Sequence, residues 1–261
     1  MLIDVHGNFY APGNGVAGNS WLNERYLECA RRVGITQVVG KVMGSWAGGT
    51  RTYVPSGEEM RCGNRFMLEL MQAHPGFVFG YVFVNPALGD EACAELAYGL
   101  GHGMIGLKLG AAVRCTSPLV EPLIEICIAH DVPVLHHVMQ RRRREHPGVV
   151  LSDAGDLAEL AARFPRARFI QAHLAGGGDW AYGLRAAADR PNVWIDLSGS
   201  GADAGMVERA LELVGEDRLL FGTDLTLDTA LARLETLRFL GVDAERIVTA
   251  NAGHVFPGRF A

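Results

Sequence analysis

The sequence predicts a single (β/α)8 barrel covering residues 1–261, and three observations carry that expectation. Eight short apolar runs rich in Val, Ile, Leu and Phe recur along the chain. Longer segments of helical period separate them. The 261 residues are close to the roughly 250 that eight such units need. Runs that are apolar almost throughout, without alternation, belong to parallel sheets covered on both faces.

The elements follow in order. Leu2–Val5 opens as a strand and Leu22–Arg32 follows with helical period. Thr36–Lys41 is the second strand, and Met43–Asn64, which holds Trp46 and Cys62, reads as a long loop before a helix at Arg65–His74. Phe77–Val84, Met104–Leu109 and Pro133–His137 are strands three to five, alternating with helices at Glu91–Leu100 and Pro118–His130. A helix at Asp156–Phe164 precedes the sixth strand, Arg168–His173. Val193–Leu197 and Leu219–Thr223 complete the set, with helices at Met206–Val214 and Thr229–Leu240. Gly13–Gly18 matches Gly-x-Gly-x-x-Gly, but it starts well past its strand, and the second strand ends in Lys41 rather than the acid that holds a ribose.

Composition narrows the function. A net charge of −5 and a pI near 6.0 give no basic face for nucleic acid. The five cysteines are odd in number and widely spaced, so neither a disulfide framework nor a CxxC metal site is expected. No apolar run reaches the roughly 18 residues of a membrane span, and the start of the chain does not read as a signal peptide. A cytoplasmic protein acting on a small molecule is the expectation, with no nucleic-acid or membrane partner. Exposed apolar helix faces permit a homodimer.

Barrel chemistry sits at the C-terminal strand ends. Those ends carry His6, Lys41, Lys108, His136-His137, His173, Asp196 and Asp224. One histidine ending a strand is more often structural. Several His and Asp groups at one level instead form a donor set for a divalent metal such as zinc. Lys108 is one of only two lysines among 24 basic residues. Within a strand it would orient an anionic substrate, pair with Asp224 or carry a carbamate. Arg141–Arg144 follow the fifth strand, where the guanidinium fork of Arg141 or Arg142 would clamp a carboxylate or phosphate. Asp196 is read either as a functional carboxylate or as a partner for neighbouring backbone.

Ile3-Asp4-Val5-His6-Gly7-Asn8, Val84-Asn85-Pro86, Gly106-Leu107-Lys108-Leu109, Pro133-Val134-Leu135-His136-His137, Ala172-His173-Leu174-Ala175-Gly176-Gly177 and Phe221-Gly222-Thr223-Asp224 occur in this order over nearly the whole chain. Together they resemble the amidohydrolase superfamily, in the amidohydrolase-related branch that includes aminocarboxymuconate-semialdehyde-type decarboxylases. The resemblance implies that His6, His137 and Asp224 are metal ligands, and that His173 is the acid/base residue or a further ligand. The family's first strand ends His-x-His, whereas this chain places Asn8 at the second position, which lowers the expected metal affinity. The reading that follows is a hydrolase with one divalent metal, zinc being the expected ion. Asp224 and His173 are its catalytic residues, and Lys108, Arg141, Arg142, His136 and Asn8 its substrate contacts. Non-oxidative decarboxylation of a small unsaturated or aromatic acid is the alternative, and a metal-depleted binding barrel the third.

Overall fold

The computed structural model describes residues 1–11, 21–42, 54–139, 149–174, 179–201, 203–224 and 227–260. The Gly13–Gly18 match and Trp46 lie outside these. Eight parallel strands run in sequence order around a (β/α)8 barrel: β1 (Ile3–Phe9), β2 (Gln37–Val42), β3 (Val78–Val84), β4 (Gly106–Leu109), β5 (Val134–His137), β6 (Phe169–Ala172), β7 (Val193–Asp196) and β8 (Leu219–Leu220). The helices are α1 (Trp21–Arg32), α2 (Gly57–Ala73), α3 (Asp90–Gly101), α4 (Glu121–Ala129), α5 (Ala154–Arg163), α6 (Trp180–Ala188), α7 (Met206–Val214), α8 (Leu227–Phe239) and α9 (Asn251–Val255).

Two differences from the sequence reading have clear causes. The expected loop Met43–Asn64 ends in helix from Gly57 onward, so exposed Cys62 lies on α2 rather than in a loop. Ser56 and Glu59 form a reciprocal capping box that starts the helix there. β1 continues past Val5 to Phe9, through a polar His-Gly-Asn stretch that does not look like strand.

Strand alternation sorts the core into two shells. Val38, Val82, Leu107, Val134, Phe169 and Leu219 pack between sheet and helices. Ile3, Val5, Val39, Leu135, Ile170 and Leu220 fill the barrel interior, joined by Val255 and Phe256 at and beyond the end of α9. Interior side chains therefore form a packed floor, and the polar strand ends stand above it.

The seam between β8 and β1 closes differently from the other seven. Val5 N–H donates to Phe221 O at 3.0 Å, and Asp224 N–H donates to His6 O at 2.7 Å. The buried Asp4 carboxylate completes the join. Its Oδ1 accepts from the N–H of Thr223 (3.0 Å) and of His6 (2.9 Å), and its Oδ2 accepts from the Thr223 hydroxyl (2.6 Å) and from Tyr26 on α1. Burial pushes the Asp4 carboxyl above its ordinary pKa, against the pull of these hydrogen bonds. Asp4 thus ties two strands and a helix together directly below His6 and Asp224.

Candidate active site

In a regular strand the inward face would hold Ile3, Val5, Gly7 and Phe9, leaving His6 outside. The β1–β2 register instead slips between Asp4 and Gly7, giving β1 one extra residue. This bulge switches the parity, so that Ile3 and Val5 face inward below it and His6 and Asn8 above it. Gly7 and Phe9 consequently turn outward. A Cβ on Gly7 would lie 2.6 Å from Val38 of β2.

Two further side chains reach the site through backbone exceptions. Ala172 already faces inward, so the next residue should face out. His173 instead has φ of 76°, and Asp224 beyond β8 has φ of 45°. Left-handed backbone at a residue other than glycine costs about 1–3 kcal/mol and persists only where the surroundings enforce it. Here both residues are brought to the same cluster. Gly222 allows the approach, because a Cβ there would sit 3.0 Å from the Cβ atoms of both His6 and Asp196.

The cluster is closely connected. His6 Nδ1 lies 2.7 Å from Asp196 Oδ2, and His6 Nε2 lies 3.2 Å from Asp224 Oδ1. His173 Nε2 is 3.1 Å from His137 Nδ1; its Nδ1 is 2.8 Å from Ser198 Oγ and 3.6 Å from Asp224 Oδ2. Asn8 Nδ2 donates to Asp224 Oδ1, and Lys41 Nζ reaches the same oxygen at 3.3 Å. The rings of His6 and His173 stack with centroids 5.1 Å apart.

Tautomers follow from the acceptors. A carboxylate only accepts, so His6 carries its proton on Nδ1 and a lone pair on Nε2, a buried atom with no hydrogen bond. Ser198 donates its hydroxyl proton to Asp196 Oδ1 and must accept from His173 Nδ1–H. That leaves the His173 lone pair on Nε2.

Asp196 holds this arrangement in place. Its Oδ2 takes the His6 proton, while its Oδ1 accepts from the backbone N–H of His173 (3.1 Å) and of Ser198 (2.9 Å). Donor atoms of His6, His173 and Asp196 lie within 4.8 Å of one another, a grouping that could hold a metal ion. With both its oxygens engaged, Asp196 fits the carboxylate that orients a ligating histidine better than it fits a ligand. Arg233 on α8 pins the loop after β7 by donating to the carbonyls of Leu197, Ser198, Gly199 and Gly201.

Charge is concentrated in this layer. Burial alone would raise Asp224 and Asp196, but His6, with Lys41 beside Asp224 and His173 near both, holds each well below the usual carboxylate range. Burial, together with Lys41, drives Lys108 well below an ordinary lysine; its buried Nζ makes no hydrogen bond. Burial also lowers His173 to about 4, opposed by Asp224, and lowers His136 to about 3 with help from Lys108.

These shifts set an acid limit for the metal-free protein. The unfolded chain takes up its histidine protons near pH 6.5, whereas folded His136 and His173 resist protonation down to about 3 and about 4. In the window below 6.5 the unfolded state binds more protons, so stability falls as pH falls. Each histidine contributes about 1.4 kcal/mol per pH unit. Urea midpoints measured with chelator present should drop steadily below about pH 6 and be flat just above neutrality. A flat midpoint down to about pH 4 would contradict the assignment.

The remaining expected site residues are placed as follows. Lys108 lies on the inward face of β4, between outward Leu107 and Leu109. His136 shares the outward face of β5 with Val134, opposite Leu135 and His137, and is 1% exposed. The substrate contact expected of His136 therefore has no geometric basis. Arg141 and Arg142 lie outside the described residues. Asp4, Ser198 and Arg233 were not anticipated, although a lone acid in an apolar first strand was a signal for Asp4.

Residues 3–247 match the model of the Amidohydro_2 family, described as Amidohydrolase. The chain belongs to this amidohydrolase family. No curated protein matches it. Among solved structures, 2,6-dihydroxybenzoate decarboxylase from Rhizobium is similar in fold, with a TM-score of 0.74, 17% identity and coverage of 98% of each chain. A dihydroxybenzoic acid decarboxylase from Polaromonas sp. JS666, with bound manganese and the inhibitor 2-nitroresorcinol, has a TM-score of 0.73 and 18% identity, over 98% of this chain and 96% of the other. A 4-oxalomesaconate hydratase from Rhodopseudomonas palustris has a TM-score of 0.70 and 16% identity, covering 98% and 96%. No helix among the described residues is long and apolar enough to cross a membrane.

Proposed function

We propose that this amidohydrolase is a metal-dependent hydrolase of a small anionic lactone, amide or ester. The observation that supports it best is the meeting of His6, His137, His173 and Asp224, from four strands, at a point where Asp224 is 20% exposed to the barrel mouth. The donor set suits a divalent ion: imidazoles with a carboxylate, and a buried His6 Nε2 whose lone pair has no hydrogen-bond donor. His6, His137 and Asp224, with His173 beside them, would hold it, and zinc is the ion we expect; the similar Polaromonas structure carries manganese. When bound there, such an ion supplies Lewis-acid polarisation of the substrate carbonyl and of water.

The chain's own residues supply the rest. His173 is the general base, because Asp196 and Ser198 keep its proton on Nδ1 and its lone pair on Nε2. Asp224 is a poorer base toward water, since the Asn8 amide and Lys41 already donate to its Oδ1. The Lys108 side chain, lacking a hydrogen-bond partner, would receive the substrate's negative charge.

A second reading draws on the decarboxylases that share the fold. The bond to the carboxylate carbon would break, CO2 would leave, and the electron pair left on carbon would take a proton from His173. The opposed proton demands separate the two. Panels of lactones, amides and esters, and of aromatic and unsaturated acids, should give hydrolysis without CO2, lost on chelation and restored by Zn2+ or Mn2+. CO2 release without hydrolysis would replace the first reading with the second. Full activity in chelated, metal-free protein would remove the metal from both.

A further inference from the structure

We propose that the Lys41 ammonium is a resident cation at Asp224, holding the place that a divalent ion must share or take. The inference rests on the metal-dependent reading above and concerns what this chain adds to it.

Two donors and one imidazole nitrogen meet at one oxygen. Asp224 Oδ1 accepts from Lys41 Nζ at 3.3 Å and from the Asn8 side-chain amide, and the unprotonated His6 Nε2 lies 3.2 Å away. Lys41 is 0% exposed, and Asp224 is the carboxylate its Nζ reaches. A lysine in that position cannot swing into water as a surface lysine does. Its strand parity fixes it there, with Val39 of β2 in the interior shell and Val38 and Val42 in the outer one. Asn8 points the same way chemically. Its amide faces Asp224 through nitrogen, which donates to the carboxylate and cannot ligate a metal.

An ion approaching the lone pair of His6 Nε2 and Asp224 together therefore meets a fixed positive charge a few ångströms away. Buried charges are screened little by salt, so the repulsion falls directly on metal affinity. Asp224 Oδ2, which faces His173 rather than Lys41, is the oxygen left for a ligand role. Lys41 is thus a positioning residue. It compensates Asp224 when no metal is bound and weakens metal binding when one is offered.

The test is Mn2+ binding to chelator-stripped protein, followed by electron paramagnetic resonance of the free ion, with circular dichroism to confirm folding. Lys41→Met should tighten Mn2+ binding by about tenfold over the unaltered chain, the direction like-charge removal dictates. Asn8→His, with Lys41 retained, should change it by less than about threefold, because the added imidazole still faces the ammonium. A Lys41→Met protein that binds Mn2+ no tighter than the unaltered chain overturns the proposal. If Lys41→Met does not fold, Asn8→His decides: tenfold tightening there would make the missing imidazole the limiting feature and overturn the role of Lys41. Failure of all three proteins to bind Mn2+ or Zn2+ would instead remove the metal-dependent reading, and this inference with it.

Discussion

Asp224→Asn is expected to lower turnover by about 10³-fold or more while leaving the chain folded. General acid–base and electrostatic contributions of single groups are each worth about 10²–10⁴, and this substitution touches both kinds. The amide keeps an oxygen for Asn8 but loses the charge that faces His6, Lys41 and His173. It also leaves a fully buried lysine opposite a neutral group, so a stability loss of about 1–3 kcal/mol should accompany the kinetic defect. The measurements are kcat and KM on whichever substrate the panel identifies, metal content by elemental analysis, and thermal unfolding. A rate equal to that of the unaltered protein, at equal metal content, would take Asp224 out of the chemistry.

Asp4→Ala should produce the largest loss of stability, about 3–5 kcal/mol, the scale seen when one partner of a buried charged network is removed. Four donors lose their acceptor at once: the N–H groups of His6 and Thr223, the Thr223 hydroxyl and the Tyr26 phenol. All four are buried, so water cannot readily replace the carboxylate. The damage falls on the seam between the first and last strands, where, among the described residues, two backbone hydrogen bonds would remain to hold His6 and Asp224 together. Asp4→Asn should be milder, because its carbonyl oxygen still serves both N–H groups. Denaturant unfolding of the pair of variants tests this. A loss below about 1 kcal/mol for Asp4→Ala, the worth of one ordinary hydrogen bond, would mean that the carboxylate is not what closes the barrel.

The strands and most helices were legible because the alternation of apolar runs with helical period is a local property of the chain. α6 was not, since Trp-Ala-Tyr-Gly-Leu-Arg followed by three alanines offers a weak apolar stripe broken by Gly183. Within the site, the choice of His137 over His136 rests on the family resemblance, which places a ligand four residues after the proline, here Pro133, and the observed alternation of Val134 and Leu135 agrees with it. His6, His173 and Asp224 were different. Simple alternation places His6 and His173 on the wrong face, and their position depends on a bulge and a left-handed residue that nothing local announces. The role of Asp4 is illegible for a related reason: it is visible only once β8 lies beside β1, more than 200 residues away in sequence. Lys41 is legible as a strand end, but its partner is not, because ion pairs across a barrel leave no trace in spacing.

The distribution of amines has a practical side. This chain's two lysines, Lys41 and Lys108, are both 0% exposed, and every other basic side chain apart from histidine is arginine. Lysine-directed chemistry, whether acylation, reductive methylation or enzymatic tagging, therefore finds no side-chain amine on the folded surface. A lysine adduct on this protein reports a reagent that has reached the barrel interior.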